Sequence, residues 1–257
     1  MSHISYSELK IWAECPFKHK LMYLDKIRKF QGNEYTAFGS ALHSLCENAV
    51  LGKLPEEDYD DFFDIEFLNQ LESVGGDIKF KKDLVSDMRV QARKISPHIL
   101  PALGQNFEDY QVISVEERLY EDIPAFEEKP FKFKGFIDLV VQVGDIYHII
   151  DWKTCSWGWD SKKKSDKMIT YQLTLYKKFW CQKHGIDPSI VETHFALLKR
   201  TAKRDFVEIF RVTSGPKKTE NATDLLTKAL HFISKGSKMK NRLSCDKCEF
   251  RKSEHCP

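Results

Sequence analysis

The stretch FKFKGFIDLVVQVGDIYHIIDWK, residues 131–153, decides the fold of this chain. Two of its runs, residues 131–143 and 146–151, are rich in Val, Ile and aromatic side chains, and this composition predicts strands. Gly144 and Asp145 separate the runs, and this pair is typical of a two-residue hairpin turn. The sequence therefore predicts an antiparallel hairpin at the centre of the fold.

The hairpin carries three charges in an apolar setting. With Gly144 and Asp145 at the turn, Asp151 lies roughly opposite Asp138, and side chains directly opposed on one face have Cβ atoms about 5 Å apart. Two carboxylates this close repel each other unless a cation lies between them. Lys153 shares a face with Asp151, because side chains alternate along a strand. An Asp-x-Lys triplet also arises by chance as a surface ion pair, and Asp138 could cap a strand end.

Metal-dependent hydrolysis is the chemistry that this set of charges favours. Mg²⁺ prefers carboxylate oxygens, and a bound Mg²⁺ can activate water and stabilise a leaving oxygen in phosphodiester hydrolysis. Lys153 could orient that water or stabilise the charge of the transition state. Gln172 and Tyr176 lie four residues apart on a predicted helix, so they share one face and add polar groups near the hairpin.

Hydrophobic periodicity outside the hairpin predicts an α/β fold with helical additions. Further strands are predicted at 110–121, 190–199 and 205–212. Helices are predicted from the capping box SYSE (5–8) onward, from Pro16, and at 37–51, 56–74, 79–103, 167–184 and 219–235. The 79–103 helix is expected to stop around Pro101 and Gly104.

Composition is typical of a globular protein of one large or two small domains. The chain has 257 residues, of which 42% are hydrophobic and 12% aromatic. It has no run of about 18 apolar residues, which predicts that no helix spans a membrane. The N-terminus MSHISYSELKIW lacks a signal-peptide pattern, so we expect an intracellular protein. In that compartment the seven cysteines are expected to be thiols or metal ligands.

Charge is unevenly distributed on a chain of net charge +2. Residues 55–72 hold eight acidic residues and no Lys or Arg, whereas residues 147–183 and 235–252 each carry a net +5. This asymmetry permits a basic groove, although ordinary solvated faces are the alternative.

Tryptophans and lysines interleave directly after the charged hairpin. Lysines contact phosphates and exposed tryptophans stack on unpaired bases, so we expect this segment to bind nucleic acid. The alternative is that the tryptophans pack in the core and the lysines are merely solvated. No helix-turn-helix or zinc-finger pattern indicates sequence-specific reading. The predicted nucleic-acid contacts are Trp157, Trp159, Lys162, Lys163 and Lys164.

These motifs resemble those of the PD-(D/E)XK nuclease superfamily, and in particular its RecB-type branch. That branch includes CRISPR-associated adaptation nucleases and AddB-like helicase–nuclease subunits. Ile137 stands where a strict PD motif has Pro. The matching motifs are GSALH (39–43) for GxxxH, GFID (135–138) and DWK (151–153) for the D…(D/E)xK pair, and QLTLY (172–176) for QxxxY.

The resemblance implies a restriction-endonuclease-like core, with a central mixed sheet flanked by helices. It implies these metal ligands: His43, Asp138, Asp151 and the backbone carbonyl of Trp152. It implies that Lys153 is catalytic and that Gln172 and Tyr176 organise the site or the DNA. Glu47 is expected either beside His43 or on a solvated helix face, and one of Glu116 and Glu117 is expected to reach the site.

The cysteines form a second pattern. Cys245, Cys248 and Cys256 give C-x2-C-x7-C near the C-terminus, and Cys15 lies in ECPF near the N-terminus. Clustered thiolates in an intracellular chain favour zinc or an iron–sulfur cluster, since both accept four Cys ligands, and free thiols are a further alternative.

Iron–sulfur members of the RecB-type branch have one Cys before the nuclease core and three after it. The stretch SYSELKIWAECPFKH (5–19) also resembles their N-terminal segment. The resemblance therefore implies a [4Fe–4S] cluster on Cys15, Cys245, Cys248 and Cys256, with zinc as the alternative and with an x7 spacing longer than usual. Such a cluster would dock the C-terminal segment by closing a loop of nearly the whole chain. The remaining thiols, expected to be ordinary, are Cys46, Cys155 and Cys181.

The expected function is that of a Mg²⁺- or Mn²⁺-dependent DNA nuclease, specifically an exonuclease on single-stranded ends in DNA repair, recombination or processing. A catalytically silent DNA-binding subunit of a recombination complex is one alternative, and a zinc-stapled RNA-processing protein is another. The expected divisions are an N-terminal helical region (1–108), a nuclease core (109–236) and a C-terminal cluster-binding segment (237–257).

Overall fold

A mixed six-stranded sheet with helices on both faces forms the protein, which confirms the predicted α/β class. This computed structural model describes residues 2–27, 32–74, 79–126 and 130–256. The strands are β1 (Ser2–Ser5), β2 (Gln111–Asp122), β3 (Phe131–Val143), β4 (Ile146–Cys155), β5 (Val191–Lys199) and β6 (Val207–Val212). The helices are α1 (Tyr6–Glu14), α2 (Pro16–His19), α3 (Glu34–Val50), α4 (Tyr59–Ser73), α5 (Lys82–Ile95), α6 (Ile99–Asn106), α7 (Ser161–Ser165), α8 (Lys167–His184) and α9 (Pro216–Ser234).

The predicted hairpin is the centre of the sheet. β3 pairs with β4 in the register that the turn predicts, with Leu139 opposite Ile150 and Val143 opposite Ile146. β4 then pairs in parallel with β5, and β5 pairs antiparallel with β6. The parallel pair is possible because α8 crosses over between β4 and β5.

One edge of β3 is interrupted. β3 has two edges. β2 pairs with most of the first edge, so β1 and β4 share the second. β1 pairs in parallel with residues 131–134, and β4 pairs with residues 139–143. In the described structure, residues 135–138 lie between the two ladders and belong to neither. This gap is where Asp138 lies.

Two hydrophobic cores hold the helices against the sheet. The core on one face joins residues of α1, α8 and α9 to Ile4, Phe133 and Phe195 of the strands. The core on the opposite face joins residues of α3 to α6 to Ile150 and Trp152. Each large apolar side chain that is fully buried contributes about 1.5–3 kcal/mol to the free energy of unfolding.

Most predicted elements occur, and three differences are informative. β1 was missed because a four-residue strand of Ser, His and Ile has no readable periodicity. The expected helix stop around Pro101 is wrong: Pro101 lies in the first turn of α6, where its missing N–H has no helical partner to lose, and α6 continues to Asn106. β4 extends four residues beyond the predicted end, to Cys155.

The proposed divisions at residues 108 and 236 stay a prediction. Ile4 and Leu9, near the N-terminus, pack in the same core as Phe133 and Phe179, so the N-terminal residues and the sheet share one interior. Among the described helices, none is long and apolar enough to cross a membrane.

Candidate active site

The β3–β4 hairpin brings the two predicted carboxylates together beside the interrupted edge. The regular ladder ends at Leu139 and Ile150, one position before Asp138 and Asp151. There the backbone N–H of Trp152 donates a 2.7 Å hydrogen bond to Oδ2 of Asp138 instead of to a strand carbonyl. The Asp138 side chain thus takes the place of a ladder partner and is fixed against β4.

Lys153 forms an ion pair with the buried Asp151 carboxylate. Burial raises the pKa of Asp151 to about 6, although the Lys153 charge opposes this shift. Burial likewise raises the pKa of Asp138 to about 6, again against Lys153. Burial alone would lower the pKa of Lys153, but Asp151 and Asp138 outweigh it and raise that pKa. The ammonium therefore stays charged between two carboxylates that are costly to ionise.

One oxygen of this cluster suits a cation. Oδ2 of Asp151 is fully buried, and among the described residues its ion pair with Lys153 is the contact that compensates its charge. The ammonium uses one of the lone pairs of this oxygen and leaves the others without a donor in the described part of the chain. A hard divalent cation takes carboxylate oxygens as ligands, so the donor chemistry suits a metal ion, although among the described residues the ligand atoms of His43, Asp138 and Asp151 do not all lie within 4.8 Å of one another.

His43 reaches the cluster from α3, on the other side of the hairpin. Its Nδ1 lies 3.7 Å from Oδ2 of Asp138. Burial, followed by the positive charge of Lys153, lowers the pKa of His43 to about 4, although Asp151 and the Trp152 backbone oppose this shift. The imidazole is therefore neutral at physiological pH, which is the form that binds metals. Gly39 lies one turn earlier on the same face of α3, and a Cβ there would be 3.4 Å from Oγ1 of Thr154 on β4.

Gln172 and Tyr176 face the cluster from α8, as their spacing predicts. The Nε2 amide of Gln172 donates hydrogen bonds to Oδ1 of Asp151, at 2.9 Å, and to the hydroxyl of Tyr176, at 3.2 Å. Gln172 thereby occupies Oδ1 of Asp151 and leaves Oδ2 directed at Lys153. Burial raises the pKa of the Tyr176 phenol, so this hydroxyl stays protonated.

A cavity of about 470 Å³ opens at the interrupted edge of β3. Its walls include Asp138, Tyr176 and Gly135, together with residues of β1 and α1 that sequence reasoning did not assign to the site. The SYSE stretch predicted a helix cap and, within residues 5–19, a resemblance to the iron–sulfur members, but neither interpretation placed these residues at the site. The additional lining residues are His3, Ser5, Tyr6, Ser7, Glu8, Tyr23, Lys134 and Phe136.

Glu116 and Glu117 point in different directions. The pKa of Glu116 is raised by burial, by the charge of Glu47 and by the charge of Asp151. Glu116 is therefore the member of the pair that interacts electrostatically with the site. Glu47 thus lies close enough to Glu116 for its negative charge to act on the same group of carboxylates. Glu117 instead accepts a 2.9 Å hydrogen bond from the indole of Trp180, in the core behind α8.

A model of the PD-(D/E)XK nuclease superfamily matches residues 3–257. The chain belongs to this superfamily. The match covers nearly the whole chain, including the hairpin, α3 and α8. Membership supports a nuclease, that is, a phosphodiester hydrolase, and PD-(D/E)XK nucleases use divalent metals.

One solved structure shows the same fold at low sequence identity, and a second gives a weaker match. A crystal structure of a candidate exonuclease from Eubacterium rectale superposes with a TM-score of 0.63 at 15% identity, covering 97% of this chain and 88% of that one. The crystal structure of SSO0001 matches with a TM-score of 0.38 at 12% identity, over 81% of this chain and 82% of that one. No curated protein matches the chain in sequence.

The segment that follows β4 in this PD-(D/E)XK protein is only partly exposed. Trp157 is 77% exposed, and Lys162 and Lys163 are exposed. Trp159 instead packs against Phe195 in the core, with ring centroids 5.1 Å apart. The Lys163 ammonium lies over the Trp159 ring, 4.8 Å from its centroid. The structure therefore leaves Trp157 and Lys162 available to a ligand, places Lys163 against Trp159 and gives Trp159 a packing role.

Lys164, the remaining predicted contact, forms an ion pair with Glu208 of β6. Its ammonium also lies over the ring of Phe210, 4.7 Å from the centroid. Both contacts hold α7 against β6, so the Lys164 charge is already compensated.

The four predicted cluster ligands line one cavity, although they come from opposite ends of the sequence. Cys15, Cys245, Cys248 and Cys256 all border a space of about 390 Å³. The backbone N–H of Asn241 donates a 3.3 Å hydrogen bond to Sγ of Cys15. In the described chain no three of these sulfurs lie within 4.8 Å of one another. This spacing is wider than a single tetrahedral zinc ion needs, since Zn–S bonds are about 2.3 Å long.

Proposed function

We propose that this PD-(D/E)XK protein is a Mg²⁺- or Mn²⁺-dependent DNA nuclease of the RecB-type branch, acting as an exonuclease on single-stranded ends. The observation that carries the proposal is the assembly of Asp138, Asp151 and Lys153 at the interrupted edge of β3, beside an open cavity. DNA repair, recombination or processing is the expected setting.

His43, Asp138, Asp151 and the Trp152 carbonyl would hold the divalent ion. When bound, the ion supplies an activated water and neutralises charge on the phosphate. Lys153 holds its proton, because the two carboxylates raise its pKa, and so presents a positive charge to the negative charge that develops on the attacked phosphate. Gln172 fixes the rotation of the Asp151 carboxylate through Oδ1.

The proposed preference for single-stranded over double-stranded DNA is supported by the cavity beside Asp138 rather than by the charged residues. A space of about 470 Å³ has room for a group the size of a nucleotide. Phe136, an aromatic residue of the lining, is 44% exposed and offers a surface on which an unpaired base stacks. These features support the preference for a single-stranded end.

The test is cleavage of single- and double-stranded DNA labelled at either end, with Mg²⁺ or Mn²⁺. We expect loss of label from single strands and no activity in Asp151→Asn or Lys153→Met. Asp145→Asn, in the exposed turn of the same hairpin, is the matched control and should cut normally. Full activity of Asp151→Asn would overturn the site. DNA binding without cleavage by the unaltered protein would favour the catalytically silent subunit.

We also propose that Cys15, Cys245, Cys248 and Cys256 hold a [4Fe–4S] cluster that docks the C-terminal segment onto α1 and α2. Four thiols around one cavity, with an amide N–H directed at Sγ of Cys15, support this ligand set. Protein purified without oxygen should contain iron and sulfide. Cys245→Ser with Cys248→Ser should lose both, whereas Cys155→Ser should keep them. Zinc in place of iron would refute the cluster.

A further inference from the structure

Three metal-ligating side chains meet at the end of β4 and β5 that lies away from the catalytic cluster. His148 on β4 pairs with Glu192 on β5 in the parallel ladder, and His194 follows Glu192 by two residues, so all three lie side by side. Nδ1 of His148 lies 3.1 Å from Nε2 of His194. Oε2 of Glu192 lies 3.8 Å from the first nitrogen and 3.7 Å from the second.

These three separations match the coordination shell of a transition metal. A point equidistant from the two nitrogens and the oxygen lies about 2.1 Å from each atom, which is the length of zinc–imidazole and zinc–carboxylate bonds. Among the described residues, this is the one group of at least three His, Cys, Asp or Glu side chains whose ligand atoms lie within 4.8 Å of one another. The arrangement already has the size of a metal site.

Neighbouring residues fix the orientation of each ligand. Arg211 of β6 contacts Oε1 of Glu192 at 2.9 Å, which leaves Oε2 directed at the histidines. The buried ring of Phe107 packs against both imidazoles, with centroids 4.8 Å from His148 and 5.0 Å from His194. Such supporting contacts hold metal ligands in their binding orientation.

The surroundings keep both imidazoles neutral, which is the form in which histidine binds a metal, and Glu192 supplies one carboxylate. Burial, followed by the neighbouring His148 and Arg211, lowers the pKa of His194 to about 3. Burial also lowers the pKa of His148, since it outweighs the opposing charge of Glu192. Arg211 is balanced by its own contact with Glu192. A hydrogen bond between the two imidazoles is the competing explanation for the 3.1 Å separation.

We propose that His148, Glu192 and His194 bind a divalent transition metal of the zinc class, at a site separate from the catalytic cluster. His148 lies three residues before Asp151, about 10 Å along the strand, and its side chain points to the opposite face of the sheet. Glu192 retains 25% side-chain exposure, so a water molecule can complete the coordination. The bound ion ties β4 to β5 and makes the strand that carries Asp151 and Lys153 more rigid.

Zinc binding by the full-length protein tests this inference. Metal is removed with a chelator, an excess of Mg²⁺ is added to occupy carboxylate sites, and Zn²⁺ is titrated while bound metal is counted by mass spectrometry. Histidine sites prefer Zn²⁺ to Mg²⁺, so this excess leaves the proposed site free. We expect His148→Gln and Glu192→Gln each to bind one zinc ion fewer than the unaltered protein. The affinity of the lost site should fall more than about 100-fold, since loss of a supporting residue alone costs 10–100-fold.

Cobalt separates this site from the cysteines. Co²⁺ bound to nitrogen and oxygen gives visible d–d bands without the sulfur-to-cobalt charge-transfer band that thiolates produce. In the same excess of Mg²⁺, we expect the bands free of charge transfer to lose intensity in His148→Gln and to keep it in His98→Gln, an exposed histidine outside the cluster. Circular dichroism of the metal-free variants checks that they fold. Equal zinc stoichiometry in His148→Gln and the unaltered protein would overturn the proposal and leave the imidazole hydrogen bond as the explanation.

Discussion

Gly135 and Tyr176 are in contact so close that no larger residue fits at position 135. A Cβ on Gly135 would lie 2.8 Å from Cε1 of Tyr176, whose hydroxyl accepts a hydrogen bond from Gln172. Gln172 in turn holds Asp151. The backbone at Gly135 therefore limits the position of Tyr176, and through Gln172 it affects the orientation of the Asp151 carboxylate.

Gly135→Ala is expected to displace the Tyr176 ring. Overpacking of a buried contact costs about 1–3 kcal/mol of the free energy of unfolding. Cleavage should slow at saturating DNA, because the Gln172–Asp151 contact moves with the ring. Gly104→Ala is the control, since a Cβ there meets no atom within 4 Å, and this exposed helical position should gain about 0.5–1 kcal/mol of stability rather than lose any. Urea denaturation and the cleavage rate are the measurements, and unaltered values for Gly135→Ala would show that Tyr176 moves freely.

Asp138→Asn is expected to stabilise the metal-free protein at pH 7. The folded pKa of Asp138, about 6, lies above the unfolded value of about 3.9, so its contribution to stability is lost as pH rises through 6. Asn removes the charge and keeps an oxygen for the Trp152 N–H. The gain should be about 1–3 kcal/mol at pH 7 and should vanish near pH 4. Denaturation in the presence of a chelator measures it, with Asp145→Asn as control. A loss of stability at pH 7 would contradict the assignment of a buried, costly charge.

Glu117→Gln is expected to act in the opposite direction. Burial opposes ionisation of Glu117, but hydrogen bonds from Lys183, Ser114, His184 and Trp180 outweigh it and lower the pKa to about 2. The resulting stability is present above the unfolded pKa and is lost as pH falls toward 2. The variant should lose about 1–3 kcal/mol at pH 7 and much less near pH 2.5. Glu121→Gln on the same strand is the control, and a pH-independent difference would argue against this account.

Two tryptophans separated by one residue are expected to respond differently to truncation. Trp157→Ala should leave stability unchanged and weaken binding of single-stranded DNA, because stacking on one base contributes about 1–3 kcal/mol. Trp159→Ala should instead destabilise the protein by about 3–5 kcal/mol, because its ring packs on Phe195. Fluorescence anisotropy and thermal unfolding distinguish them. Unchanged affinity of Trp157→Ala would exclude this residue from the DNA contact.

The hairpin could be predicted from sequence because its information is local. Turn residues and alternating side chains fix the register within about 20 residues, and the register brings Asp138 and Asp151 together. The ends of α8 were also predictable, since Asp166 caps its first turn and Gly185 lies just beyond its last residue, in the left-handed region. In both places the chain itself specifies the geometry.

Features that depend on distant segments could not be predicted in this way. β1 forms only because β3 offers an edge, and four residues carry no periodic signal of their own. The packing of Trp159 against Phe195 depends on where β5 lies, so an apolar ring in a basic segment was ambiguous. The His148, Glu192 and His194 group was likewise unreadable, because it forms through a parallel pairing across a helix.

The interrupted edge of β3 also sets an order of events during synthesis and folding. β1 can pair only after Phe131 has been synthesised, because Ser2 pairs with Phe131. The strand that completes the cavity beside Asp138 therefore closes the longest loop among the described strand pairs. Contacts this distant in sequence form slowly, because loop-closure entropy must be overcome before they stabilise the structure. A nascent chain on the ribosome therefore cannot form the cavity beside Asp138 until its central hairpin has emerged.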